Sequence, residues 1–260
     1  MVRVLSLLLV LFCQTAVAAP SCELSMQAQH YPPRFIKPAQ AEGTIPWQGF
    51  NAELFYLLAS HAGCKAKIVE VPWGRALQLL AAGEIDAMSN VSRNAEREHY
   101  AHFVGPHQQE SILVLSNSRE FDQIQDLNAL LQSRQPVSVM QGIYYGEQFE
   151  QSLAQQTDWS KRLIYVSSSR HKLELFIAGR VRFTFEDSIN LQQLYNDGVL
   201  DPQQHKALFT LHYNPVYFAF SKHSVSAKQL SRLQQAWQQL SADGIVQQLQ
   251  HRYFPASYAK

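Results

Sequence analysis

Ser92, Arg93 and Arg97 fall together in the polar stretch SRNAERE, just after a short apolar run from Ile85 to Met88. That run reads as a buried strand, and open α/β sheets bind ligands outside the carboxyl ends of their strands. A guanidinium held there suits a carboxylate, since its planar fork offers two parallel N–H donors to two oxygens. A guanidinium from this stretch is therefore expected to grip a small anion or zwitterion. The preceding segment must position it. Trp73 to Ala82 predicts a helix, with Ala76, Leu77, Leu79 and Leu80 apolar and Gly83 placed to end it.

Other chemistry is thinly represented. The chain has no G-x-S-x-G, C-x-x-C or H-E-x-x-H pattern. Ser169 to Lys172 satisfies S-x-x-K, but it lies at an expected helix start, where Ser168 or Ser169 serves as an N-terminal cap. His99, His102 and His107 share one segment without the spacing of a zinc motif, so neither a metal nor a cofactor is expected.

The N-terminus indicates a compartment. Arg3, the apolar run Val4 to Phe12, and Ala16-Val17-Ala18-Ala19 form a secretory signal over residues 1–19, cleaved after Ala18 or Ala19. The apolar run is too short to span a bilayer. Lipid modification at Cys13 is disfavoured by Phe12, where a small residue is needed. The mature chain is thus expected in the periplasm. Cys22 and Cys64 remain, each just ahead of a strand-like segment (ELSMQA and KAKIVEV). An even count in an oxidising compartment points to a disulfide, the alternative being two buried thiols.

About 240 residues, from a chain that is 46% hydrophobic, suffice for one large or two modest domains. Losing Arg3 with the leader brings the 22 basic side chains level with the 21 acidic ones, which argues against nucleic acid or an anionic membrane as partner.

Strand and helix signals then alternate, as in a parallel-sheet α/β protein. Strands are expected over residues 23–29, 65–71, 85–88, 111–115, 136–140, 163–166, 181–186, 207–213 and 216–221. Helices are expected over 50–62, from 73, and over 126–131, 144–154, 172–178 and 189–195. A last helical region runs from 227, broken at Asp243-Gly244.

In order and spacing, GFNAELFYLLASHAG, LLAAGEIDAMSNVSRNAERE, VSVMQGIYYGE, AGRVRFTFED and AWQQLSADGIVQQLQHRYF resemble the bacterial extracellular solute-binding proteins of family 3, the periplasmic amino-acid-binding type. The resemblance covers essentially the whole mature chain. It implies two α/β lobes, each a mixed, mostly parallel sheet flanked by helices, joined by two crossover strands that let the lobes close on a ligand. Lobe one would be residues 20–112 plus 208–260, and lobe two 113–207.

The same resemblance assigns Arg97 to the ligand α-carboxylate, with Ser92 and Asn90 as neighbouring donors, and Asp187 to the α-amino group. Tyr31 and Trp73 become aromatic walls. Gly142, Ile143 and Tyr144 open a helix whose free N–H groups and positive dipole end suit an anion. Arg182 stands where the family usually has Asp, and Asn94 where Thr is common. Arg75 and Arg93 are further cations near the expected cleft, read here as solvated or ion-paired.

The implied function is capture of a small polar amino acid, or a related zwitterion or anion, by a monomeric protein that delivers it to an inner-membrane ABC permease. Two alternatives share the scaffold. One is a periplasmic cyclohexadienyl (arogenate or prephenate) dehydratase with Glu186, beside Asp187, as its acid. The other is a sensor that docks on a membrane receptor.

Overall fold

The computed structural model describes residues 22–38 and 46–254; the leader assigned to residues 1–19 lies outside them. Among the described residues there are eight strands: β1 (Glu23–Ala28), β2 (Lys65–Glu70), β3 (Ala87–Ser92), β4 (Ala101–Ser116), β5 (Val137–Met140), β6 (Leu163–Val166), β7 (Phe183–Asp187) and β8 (Lys206–Ser221). They hydrogen-bond in the order β2-β1-β3-β8-β4-β7-β5-β6. β1 runs parallel to β2 and β3, and β5 runs parallel to β6 and β7. Between these two parallel groups lie β8 and β4, antiparallel to each other and to the strands they border. The result is a two-lobed α/β architecture with mostly parallel sheets, joined by one long antiparallel ribbon.

That ribbon differs from the strands expected along it. Residues 101–110 read as loop, and 207–221 as two strands, yet β4 and β8 are each continuous over 16 residues. Gly105-Pro106 and Asn214-Pro215 interrupt the inside–outside alternation in sequence. In space, register shifts after Val104, Ile112 and Val114 absorb the mismatch, because each bulge resets which face the next side chain takes.

The helices are α1 (Phe50–His61), α2 (Trp73–Ala82), α3 (Ala95–Tyr100), α4 (Leu127–Gln132), α5 (Glu147–Gln155), α6 (Thr157–Ser160), α7 (Ser169–Ile177), α8 (Ser188–Asn196), α9 (Ala227–Ala242) and α10 (Ile245–Tyr253). Their starts follow local capping chemistry. Asn94, Asp126, Ser168 and Asp187 each accept backbone N–H bonds at the first turn of α3, α4, α7 and α8. Ser226 and Gln229 form a reciprocal capping box on α9. Gly83 ends α2 in the left-handed conformation, φ 77°, that its type favours.

Each sheet half is covered on both faces. In the first half, Phe50, Leu54, Phe55 and Leu58 of α1 pack with Met26, Phe218, Phe220, Leu233 and Leu240. On the opposite face Ala76 and Leu80 of α2 meet Met88, Val91 and Ala219. In the second half, Val139, Phe149, Trp159 and Phe185 form one core, and Leu115, Leu173, Phe176 and Leu191 the other. Burying each such Leu or Phe contributes about 1.5–3 kcal/mol, so each lobe is sustained by cores of its own.

Cys22 and Cys64 are joined by a disulfide at the N-terminal ends of the adjacent parallel strands β1 and β2, where the Lys65 N–H also donates to the Cys22 carbonyl at 2.7 Å. The bond closes a sequence separation of 42 residues, which on chain-entropy grounds contributes about 4 kcal/mol. Replacing both cysteines by serine is expected to lower Tm by roughly 8–16 °C in a thermal melt, and an unchanged Tm would refute a stabilising bond.

Candidate functional site

A cavity of about 280 Å³ lies between the lobes, lined by residues of both. β1 leads into the loop carrying Tyr31 and Arg34, β3 supplies Ser89, Asn90 and Ser92, and α3 supplies Arg97. From the other side come Met140, Ile143, Tyr144, Lys172, Glu186 and Asp187, with Glu110 contributed by β4.

Arg97 is buried. It sits in α3 rather than in a loop, and Ser92 ends β3 instead of following it. The strand runs past Met88 because Ser89 and Ser92 turn inward and a bulge at Asn90, φ 61°, corrects the register. Asn tolerates that left-handed conformation better than most residues. Here it is held by its own bonds: its N–H donates to His107 Nε2 at 3.3 Å, and its Nδ2 to Glu110 Oε1 at 3.3 Å. Arg97 Nη1 donates to the Ser92 carbonyl at 2.8 Å and Nη2 to the Gly142 carbonyl at 2.9 Å. Burial pushes its pKa down, with Tyr100 and Glu96 acting the other way. Among the described residues it has no carboxylate ion-pair partner; Glu98 pairs with exposed Arg93 instead.

The Gly142 region is a correction to the sequence reading. No helix opens at Gly142, Ile143 and Tyr144; α5 begins at Glu147, behind Gly146. Gly142 itself, at φ 80°, turns its carbonyl to the other lobe, where both Arg97 and Trp73 Nε1 (3.1 Å) donate to it. Its positive φ favours glycine, and a Cβ at that position would lie 2.9 Å from Leu77 Cδ1, pushing that side chain aside. Ile143 and Tyr144 line the cavity with their side chains.

Asp187 ends β7 and caps α8, its Oδ1 accepting the Ile189 and Asn190 N–H groups at 3.0 and 3.1 Å. The same oxygen accepts from Arg34 Nη1 at 2.8 Å, a buried ion pair across the cleft. Next to it, Glu186 Oε1 accepts from the Tyr31 hydroxyl at 2.8 Å. Glu186 Oε2 lies 2.9 Å from Lys172 Nζ, off the axis of a good hydrogen bond but within an ion pair. Burial, then Glu186, push the Tyr31 phenol well above its usual range.

Glu110 is the third buried carboxyl. Burial raises its pKa to about 8, with Asp187 adding to the rise and Arg34 and Arg97 opposing it. It is therefore largely protonated at neutral pH. His107, behind it, is held neutral, its pKa lowered to about 3 by burial and by Arg34.

Tyr31, Trp73, Asn90, Ser92, Arg97, Ile143, Tyr144 and Asp187 thus converge on one cleft, whereas Arg75, Arg93 and Arg182 are exposed outside it. Arg34 and Glu110 escaped the sequence reading, and His107 entered it only as one of three histidines in a segment. Arg34 lies in the Pro-rich loop YPPRF, where no periodicity marks a burial face, and Glu110 and His107 lie on the half of β4 that reads as loop. A lone Glu heading the apolar run SILVL was the one signal available.

Fold and cleft together define a two-lobed binding protein. The chain belongs to the bacterial extracellular solute-binding proteins, family 3, whose family model matches residues 25–256. No curated protein matches it. Among solved structures it is similar to a mutant of ArgBP from T. maritima (15% identity, 89% of this chain and 95% of that one, TM-score 0.74). It is also similar to a histidine kinase sensor domain with similarity to periplasmic binding proteins (16%, 91% and 96%, TM-score 0.74). A third is an ancestral amino-acid-binding protein described as a precursor of cyclohexadienyl dehydratase (20%, 90% and 95%, TM-score 0.69). Among the described residues no helix is long and apolar enough to cross a membrane.

The buried titrating groups set a pH signature. Glu110 has a folded pKa near 8 against an ordinary 4.5, so the folded state holds the extra proton and stability falls as pH rises between them. His107 has a folded value near 3 against 6.5, so its effect is confined to pH below 6.5. From pH 6.5 to 8 only Glu110 of the two acts, at about 2 kcal/mol over that window. Melts of Glu110→Gln are expected to lose this decline and to exceed the wild type at pH 8.5; a slope equal to wild type would contradict the assignment.

Proposed function

We propose that this protein is a periplasmic binding protein that captures a small polar amino acid, or a related zwitterion or anion, between its lobes for delivery to an ABC importer. The observation that carries the reading is Arg97: a buried guanidinium without a carboxylate partner, facing a cavity lined by both lobes. Its remaining N–H donors suit a ligand carboxylate. Ser92 and Asn90 stand beside it, with Tyr31, Trp73, Ile143 and Tyr144 as walls and Asp187 at the far end. The lobes are taken as residues 20–112 plus 208–260, and 113–207. Bonds from Arg97 and Trp73 to Gly142, from Tyr31 to Glu186 and from Arg34 to Asp187 all cross between them. A ligand touching both sides adds to these contacts only in the closed form and so shifts the population toward it.

A second reading, a dehydratase-like enzyme, is favoured by one observation. Glu110 holds a proton near neutral pH inside the cleft, as a general acid must. Glu186, the acid expected from sequence, is already engaged by Tyr31 and Lys172. Release of phenylpyruvate from prephenate, lost in Glu110→Gln, would establish that reading over simple binding.

For the binding reading, a thermal-shift screen against amino acids and small carboxylates should yield a ligand that raises Tm. Arg97→Ala should then weaken that ligand by about 2–5 kcal/mol in calorimetry with the fold intact. Affinity unchanged in the variant would place the site elsewhere.

A further inference from the structure

A cleft that receives an ammonium group needs a carboxylate with room for it, and Asp187 is already taken. Arg34 is 0% exposed and held at two of its three guanidinium nitrogens, Nη2 being buried without a hydrogen-bond partner. Its Nη1 donates to Asp187 Oδ1 at 2.8 Å and its Nε to Gln108 Oε1 at 3.2 Å. Its guanidinium lies 5.8 Å from the centroids of both the Tyr31 and Phe254 rings. The backbone is pinned as well, since the Asn51 N–H donates to the Arg34 carbonyl at 3.1 Å and Gly49 packs so closely that a Cβ there would lie 2.5 Å from that oxygen. Swinging this side chain away would break all these contacts at once.

We propose that Arg34 is a built-in cation occupying the ammonium position of the cleft, so that the ligand is a small organic monocarboxylate lacking an α-ammonium group. This rests on the cleft being the binding site and narrows its ligand. Asp187 Oδ1 already accepts from Arg34 and two helix N–H groups, and Oδ2 is sealed from solvent. A second cation brought to Oδ2 would meet Arg34 across a charge that is already balanced. Lys172 balances Glu186 in the same way. Glu110, protonated at neutral pH, contributes no charge there. Arg97 is then the unmatched charge of the buried set. One carboxylate neutralises it, whereas a zwitterion leaves the cleft positive.

The test is calorimetry on the secreted protein with pairs that differ only in the α-amino group: L-glutamine and glutaramate, L-leucine and isocaproate, L-phenylalanine and hydrocinnamate. The expected result is at least one pair whose deaminated member binds tenfold or more tighter. Amino acids binding as well as or better than their deaminated partners would overturn the proposal while leaving the binding reading intact. Silence from all six compounds would remove both. Arg34→Met should move the preference at least tenfold toward the amino acid, and an unchanged ratio would count against Arg34 as its cause. Should that variant fail to fold, Asp187→Asn, which retains the helix cap, should tighten the deaminated ligand severalfold. Weakening by tenfold would show that the ligand uses Asp187 directly.

Discussion

Arg34, Arg97, Glu110, Lys172, Glu186 and Asp187 are all nearly out of water within one cleft. Transferring an ion out of water costs several kcal/mol unless a partner and further hydrogen bonds compensate it. That cost organises the interior between the lobes. Arg34 compensates Asp187, Lys172 compensates Glu186, and the carboxyl left without a cation of its own keeps its proton. Among the described residues Arg97 meets the Ser92 and Gly142 carbonyls and the Tyr100 hydroxyl, which engage its donors without cancelling its charge. The proposed recognition rests on a local imbalance inside a chain whose overall charge is close to zero.

Arg34 and Asp187 come from opposite sides of the cleft, whereas Lys172 and Glu186 share one. Arg34 comes from the loop after β1 and Asp187 from the end of β7; Tyr31 and Glu186 repeat that pairing one position away. Beneath them the β4–β8 ribbon passes continuously from one lobe to the other, bringing Gln108 and Glu110 into the seam. Two strands hydrogen-bonded along their length resist sliding but can twist and bend, particularly where bulges interrupt the ladder. In the proposed binding cycle, opening about this ribbon breaks the crossing bonds, and closure depends on whatever restores or displaces them.

The elements legible in sequence were those whose signal is local. α1, α2, α9 and α10 follow apolar periodicity and punctuating glycines, and the disulfide follows from two cysteines ahead of two strands. The resemblance named Arg97, Ser92, Tyr31 and Trp73 by position along the chain, and strand order brings them to one cavity. Gly142 was expected to open a helix, and the structure instead has a turn there whose carbonyl accepts from Arg97 and Trp73. A left-handed glycine before a turn looks, in sequence, much like the start of a helix, and only the contact with Leu77 and the orientation of its carbonyl separate the two.

The amino-acid sequence by itself determined the alternation of strands and helices, the family, the pairing of the cysteines and the presence of an arginine at the end of a strand. Each depends on residues near one another in the chain or on a spacing that can be counted. The tertiary structure alone decided which charges meet. Arg34 and Asp187 are 153 residues apart, and neither carries a mark of the other. Whether Asp187 receives a ligand or an internal guanidinium is settled by which side chains the closed lobes press into the same few ångströms. Burial, which sets the charge state of Glu110, belongs to that folded arrangement and to no local pattern.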